Sequence, residues 1–203
     1  MKKILITGGA GFIGSHLCDF FLKKGFFVVA LDNLITGQLS NITHNSKIKN
    51  FKFFELDITT KIELDYEFDF ILNFASPASP KDFDRIPFKI IESIAFGTKN
   101  ILDFALKHNS KLLIASTSEV YGTARYTPMT EQHPTMPHTV YGGSKLAGEC
   151  YARAFFDTYE YNTVVVRPFN AFGPRSHHEG DSGEVIPKFM LRSMAGQPMI
   201  VFG

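Results

Sequence analysis

The sequence predicts a doubly wound parallel α/β sheet, and three features carry that prediction. Short apolar runs rich in β-formers alternate with longer segments of helical period, the pattern of parallel strands joined by crossover helices. The first run leads directly into a glycine turn that opens a helix, and an aspartate follows the second run. With 203 residues, 44% of them apolar, the chain can bury one full domain and the beginning of a second.

Six runs read as strands, at residues 3–7, 26–31, 51–56, 69–74, 111–116 and 163–167. Helical patterns lie between them at 12–24, 86–108 and 141–159, and Gly25 is placed to cap the first of these at its C-terminus. From Pro168 the texture changes to a polar, Gly-rich loop at 176–183, a helix at 184–195 and a short strand at 199–202. That tail reads as the start of a second lobe that is cut off, so the expected division is a main domain at 1–170 and an incomplete lobe at 171–203.

Charge and composition narrow the function classes. Twenty-one basic residues against 20 acidic ones, spread along the chain, leave a formal net charge of +1 and no footprint for a polyanion, so nucleic acid is excluded as a partner. No apolar run approaches the roughly 20 residues that span a bilayer, so no membrane partner is expected. Cys18 and Cys150 lie in helical patterns, and no signal peptide precedes the first strand; both read as reduced thiols of a cytoplasmic protein.

The glycine turn is Thr7-Gly8-Gly9-Ala10-Gly11-Phe12-Ile13-Gly14, which fits the pyrophosphate of a dinucleotide on a Rossmann-type sheet. Gly8 permits the tight turn, Gly11 lets backbone approach phosphate oxygens, and Gly14 lets helix and strand pack closely. Phe12 and Ile13 open the helix whose N-terminal amides face that phosphate. Asp32, 18 residues after Gly14, is placed to accept hydrogen bonds from a ribose diol, and no Arg follows in Asn33-Leu34-Ile35-Thr36 to neutralise a 2′-phosphate. NAD is therefore expected, with Asn33 beside the ribose and Asp57-Ile58 at a position suited to the adenine. Residues 1–170 are accordingly read as an NAD-binding domain.

Tyr141 and Lys145 stand four apart in a helical pattern, so both project from one face, and that spacing suits a phenol acting as general base. A free phenol has a pKa of about 10 and needs positive charge nearby to serve at neutral pH; Lys145 and an oxidised nicotinamide would supply it. The fifth strand ends in Ser116-Thr117-Ser118-Glu119, at the sheet edge where ligands of open α/β folds bind. Thr117 is placed to hydrogen-bond a sugar hydroxyl, and Ser118 and Glu119 complete the catalytic set, Glu119 for a second proton transfer. His177-His178-Glu179 with Asp181 does not make a metal site, because neighbouring histidines in a Gly-rich loop rarely converge and no second cluster adds ligands. Gly142-Gly143-Ser144-Lys145 is neither a P-loop nor a nucleophile elbow, which removes kinase and hydrolase readings.

These motifs, together with Arg167-Pro168-Phe169-Asn170-Ala171-Phe172-Gly173-Pro174-Arg175, resemble the extended short-chain dehydrogenase/reductase family in its nucleotide-sugar epimerase/dehydratase branch. The resemblance spans essentially the whole chain. It implies that Tyr141, Lys145 and Thr117 carry a redox step, that Arg167-Pro168 lies near the cofactor, and that Asn170 lies near the diphosphate of a sugar nucleotide. It also implies that Phe74, Ala75 and Ser76 line the cofactor, that Pro77, Ser79 and Arg175 meet the substrate, and that Phe155 and Phe156 sit on a helix used for homodimerisation.

In such enzymes NAD oxidises the sugar C4 hydroxyl to a ketone, which then decarboxylates, dehydrates or is re-reduced from the other face. The stretch from Asn73 to Pro80 and the Thr117-Ser118-Glu119 trio look most like UDP-glucuronate decarboxylases, which makes a UDP-sugar the favoured substrate. Tyr141-Gly142-Gly143-Ser144-Lys145 instead fits 4-epimerases, and residues 134–140 lack the Arg of the decarboxylases. Ser118 stands where dTDP-glucose 4,6-dehydratases carry Asp. Epimerase and dehydratase remain open alternatives, as does an NAD-binding module without turnover, since relatives continue past Gly203.

Overall fold

The computed structural model describes residues 1–177 and 184–199. Six strands form one fully parallel sheet in the order β3-β2-β1-β4-β5-β6. They are β1 (Lys3–Thr7), β2 (Phe27–Asp32), β3 (Phe51–Glu55), β4 (Phe70–Asn73), β5 (Lys111–Ala115) and β6 (Thr163–Val166). The strand order reverses between β1 and β4, and at that point Thr7 Oγ1 donates to Asn73 Oδ1 at 2.7 Å. A doubly wound sheet opens a crevice there, outside the carboxyl ends of the strands.

Residue alternation along the central strands divides the core between the two sheet faces. Ile4, Ile6, Val28 and Ala30 pack in one cluster with Cys18 of helix α1 (Phe12–Lys23). Leu5, Val29 and Leu31 pack in the other with Ile101, Leu102 and Ala105 of helix α4 (Gly97–Lys107). Successive side chains of a strand point to opposite faces, so unbroken Ile-Leu-Ile and Val-Val-Ala-Leu runs serve both layers at once. Leu5 is fully buried, and truncating it to Ala would cost about 2–5 kcal/mol.

Gly25 does what its position predicts. Its φ of 79°, the bonds Gly25 N to Leu22 O at 3.0 Å and Phe26 N to Phe21 O at 3.0 Å, and the Phe21–Phe26 ring contact form a Schellman cap.

The single helix expected at 86–108 is instead three pieces. Helix α3 (Pro87–Ile91) runs through a π turn at Glu92–Phe96 into α4. The wide turn accompanies a close approach, because a Cβ on Gly97 would stand 2.6 Å from Ile58 Cδ1. A short helix α2 (Pro80–Arg85), not assigned from the sequence, starts on Pro80 at its first position. Helix α5 (Val140–Tyr159) carries Tyr141 and Lys145, and α6 (Val185–Met194) matches the helix expected after the loop.

Of the loop at 176–183, Ser176 and His177 are described; His178, Glu179 and Asp181 lie outside the described residues. Of the strand expected at 199–202, Met199 is described and is not in a strand; the rest lies outside the described residues. Cys18 and Cys150 are free thiols. Among the described residues no helix is long and apolar enough to cross a membrane.

Candidate active site

A cleft of about 390 Å³ runs along the carboxyl edge of the sheet from the end of β2 to the start of α5. Of the residues expected at the site, all but Arg167 line it. The structure brings together Gly8, Gly11, Phe12, Ile13 and Gly14; Asp32, Asn33, Asp57 and Ile58; Phe74, Ala75, Ser76, Pro77 and Ser79; Thr117, Ser118 and Glu119; and Tyr141, Lys145, Asn170 and Arg175.

Backbone geometry builds the cofactor end. A Cβ on Gly14 would stand 2.0 Å from Gly8 O, and one on Gly8, whose φ is 68°, would stand 2.8 Å from the Phe74 carbonyl carbon. Helix, turn and β4 can close on one another only without those side chains. Helix α1 then starts on Phe12 with no side-chain cap and no acidic residue in its first turn, so its amides and positive dipole end face the cleft uncompensated by side chains.

At the end of β2, Asp32 Oδ2 accepts from Ala10 N at 3.0 Å and Oδ1 from Leu34 N at 2.9 Å. Burial raises its carboxyl pKa against those bonds. Asn33 Nδ2 donates to Asp57 Oδ2 at 3.0 Å, joining the two strand ends. Against desolvation, bonds from Thr59 and Asn33 hold the Asp57 carboxyl below its usual range.

These groups fit NAD. The uncapped helix start suits a pyrophosphate, and a carboxylate with four lone-pair sites has capacity for a ribose diol. Among the described cleft residues, the lysines and arginines are Lys145 and Arg175, so no such cation accompanies Asp32 to offset the charge of a 2′-phosphate.

Side chains build the other end. Thr139 caps α5, accepting from Gly142 N at 3.0 Å, and its hydroxyl donates to Glu119 Oε2 at 2.7 Å. Tyr141 is buried and stacked on Phe83, with ring centroids 5.2 Å apart at 12°. Desolvation pushes its phenol up to about 12, against hydrogen bonds with Thr117 and Ser76. Lys145 Nζ lies 5.6 Å from the Tyr141 ring centroid and donates to Ala115 O at 2.8 Å; burial lowers its pKa to about 7. Lys145 was expected to depress the phenol, yet in the protein alone burial disfavours the charged forms of both groups.

Two expected residues have additional engagements. Arg175 lines the cleft but pairs through Nη2 with Asp19 Oδ2 of α1 at 2.7 Å. Arg167, expected near the cofactor, is not among the lining residues; it pairs with Glu149 behind the catalytic helix face.

One expected residue has a further contact, and two residues had not been read from the sequence. Ser76 was expected only at the cofactor, whereas it also stands with Tyr141 in the cleft and acts to lower the phenol's pKa. Glu184 reaches the cleft from the start of α6, where burial raises its pKa, and no sequence spacing linked it to Tyr141. Glu149 could have been found, because 141, 145 and 149 form a single i, i+4, i+8 stripe.

The sequence model of the NAD dependent epimerase/dehydratase family matches residues 4–203, and the chain belongs to that family. It is 37% identical over its whole length to UDP-glucuronic acid decarboxylase 1 of Xenopus tropicalis, covering 48% of that protein. The chain therefore spans about half the length of the curated relatives it matches. Among solved structures it superposes on a UDP-N-acetylglucosamine 4-epimerase of Methanobrevibacter ruminantium with a TM-score of 0.91 and 28% identity, over 100% of this chain and 66% of that one. A dTDP-glucose 4,6-dehydratase of Bacillus anthracis in complex with NAD gives a TM-score of 0.88 and 28% identity, over 100% of this chain and 64% of that one. The family is NAD-dependent, and the cofactor of the chain is NAD.

Proposed function

We propose that the chain is the NAD-binding and catalytic part of an enzyme that oxidises C4 of a nucleotide sugar, with residues 1–170 holding the cofactor and 171–203 beginning the sugar lobe. The observation that carries this reading is the gathering of Tyr141, Thr117, Ser76 and Lys145 at one end of a cleft whose other end is the glycine turn. NAD, when bound, supplies the hydride acceptor and returns the hydride. The protein's own residues do the rest. Tyr141 takes the C4 hydroxyl proton, Thr117 and Ser76 orient that hydroxyl and the phenol, and Glu119 moves a second proton in the 4-keto sugar.

Magnitudes show what Tyr141 requires. Bringing a phenol from about 12 to neutrality takes roughly 7 kcal/mol of differential stabilisation. Lys145 Nζ stands 5.6 Å from the Tyr141 ring centroid, and burial lowers its own pKa to about 7, so it is only partly charged at neutrality. Lys145 alone therefore falls short, and a second positive charge beside the phenol is part of the mechanism.

Decarboxylation of UDP-glucuronate is the preferred outcome. It is supported by 37% identity to a UDP-glucuronic acid decarboxylase and by the Thr117-Ser118-Glu119 trio. A 4-epimerase acting on a neutral UDP-hexose is the second reading, favoured by one observation: two carboxyl groups, Glu119 and Glu184, line the cleft and act on the Tyr141 phenol, and they would repel a C6 carboxylate. A homodimer through α5 belongs to the same proposal. Phe156 and Tyr159 are exposed there, while Phe155 packs on the core.

The test is incubation with NAD and UDP-glucuronate, UDP-glucose or UDP-galactose, with products followed by NMR. Loss of the C6 carboxyl supports the decarboxylase, and C4 inversion supports the epimerase. NAD binding with no sugar changed, by this chain and by any longer form of it, overturns both and leaves a binding module.

A further inference from the structure

Behind the cleft, three successive residues at the carboxyl end of β5 are tied to three successive turns of α5. Ala115 O accepts from Lys145 Nζ at 2.8 Å, Ser116 Oγ donates to Glu149 Oε1, and Thr117 stands with Tyr141 in the cleft, where it acts to lower the phenol's pKa. Glu149 does not line the cleft, so its contacts reach the chemistry only through other residues. Its carboxylate is gripped by Arg167, with Nε to Oε1 at 2.9 Å and Nη2 to Oε2 at 2.6 Å, and both side chains are largely buried.

Arg167 extends the tie further. It follows β6 directly, Val166 O accepts Ser116 N at 2.7 Å, and Arg167 Nη1 donates to Tyr121 OH at 3.0 Å and Glu131 O at 3.1 Å. Tyr121 closes the 3-10 turn Ser118–Tyr121 that carries Glu119, and its ring lies 4.9 Å from the Arg167 guanidinium. A two-pronged arginine–carboxylate contact fixes both distance and plane. One ion pair therefore holds α5 to the strand end that carries Thr117 and to the turn that carries Glu119.

Resting on the reading of Tyr141 and Thr117 given above, we infer that Glu149, Arg167 and Ser116 are positioning residues: they set the register of α5 against the end of β5, and so the distance between the phenol, the lysine and the hydroxyl that share the proton. A helix sliding on a strand end by 1 Å would part Tyr141 from Thr117, a misplacement that can cost on the order of 100-fold in rate.

The experiment uses Ser116→Ala, which leaves the ion pair intact, and Glu149→Gln, which keeps an acceptor and removes the charge. Each is compared with wild type for kcat and KM, for NAD affinity, and for the tyrosinate absorbance titration that disappears in Tyr141→Phe, recorded with NAD bound. Positioning predicts that kcat falls on the order of 10- to 100-fold in both variants while KM and NAD affinity stay within about 2-fold. It also predicts that the Tyr141 titration moves up by about half a unit or more. Thermal destabilisation of either variant with kcat and the titration unmoved would overturn the inference and leave Glu149–Arg167 a structural pair. Should Glu149→Gln fail to fold, Ser116→Ala decides alone. Should wild type turn over no sugar, the proposed function fails, while the titration still decides whether these residues position Tyr141.

Discussion

The two ends of the cleft are built by different means. At the cofactor end the working parts are backbone: a turn that excludes Cβ atoms, an uncapped helix start, and one carboxylate held by amides. At the chemical end they are side chains, Tyr141, Lys145 and Thr117 buried and Glu119 half-buried, brought from α5 and from the turn that follows β5. Backbone geometry is local, so a short motif specifies it, and it binds whatever pyrophosphate it meets. Buried titratable groups acquire their properties from residues far away in the chain, and there the reaction is decided. Damage at the first end should therefore appear as lost cofactor affinity, and damage at the second as lost turnover.

The sharpest test of that division is Tyr141→Phe, expected to lower kcat by about 10²–10⁴-fold with NAD affinity unchanged, as steady-state kinetics and a cofactor titration would show. Gly14→Ala probes the opposite end. Its Cβ would collide with Gly8 O, so NAD affinity should fall on the order of 100-fold, equivalent to about 2.7 kcal/mol, measured by calorimetry. Asp32→Asn keeps shape and removes charge. Loss of a hydrogen bond to a charged group predicts an affinity drop of about 10-fold for NAD with kcat at saturating cofactor preserved.

The smallest effect concerns pH. Lys145 is lowered to about 7 in the folded protein, so above that value the unfolded chain binds more protons than the native one, and stability rises with pH until the unfolded lysine titrates. Thermal melts should gain on the order of 5 °C between about pH 7 and 8.5 relative to Lys145→Met, whose own melts lack that increment. Tyr141 works oppositely and higher: its raised pKa stabilises fully below the unfolded value, and that contribution is lost as pH climbs toward about 12.

The same contrast explains what was legible in the sequence. All six strands and the glycine turn could be read because alternation, glycine spacing and an aspartate at a strand end are local signals. Residues 86–108 misled, since their helical period continues through the π turn, which coincides with the tertiary contact of Ile58 with Gly97. The short helix α2 was hidden by the prolines that bound its segment. At the site, Tyr141 and Lys145 announce themselves by spacing, but their pKa values come from burial that spacing does not encode. Glu184 has no sequence signal, because only folding brings the start of α6 to the cleft.

The proposed reaction is the movement of hydride to and from C4 of a nucleotide sugar under the control of Tyr141. The most direct measurement gives wild type and Tyr141→Phe NAD with UDP-glucuronate, UDP-glucose or UDP-galactose carrying deuterium at C4, and follows label by NMR and the cofactor by its reduced-nicotinamide absorbance. Transient deuterium on the cofactor and its return to C4 of a new product are expected with wild type, and neither with the variant. Bound NAD that never receives the label while the sugar is converted, or a Tyr141→Phe variant as active as wild type, would contradict it.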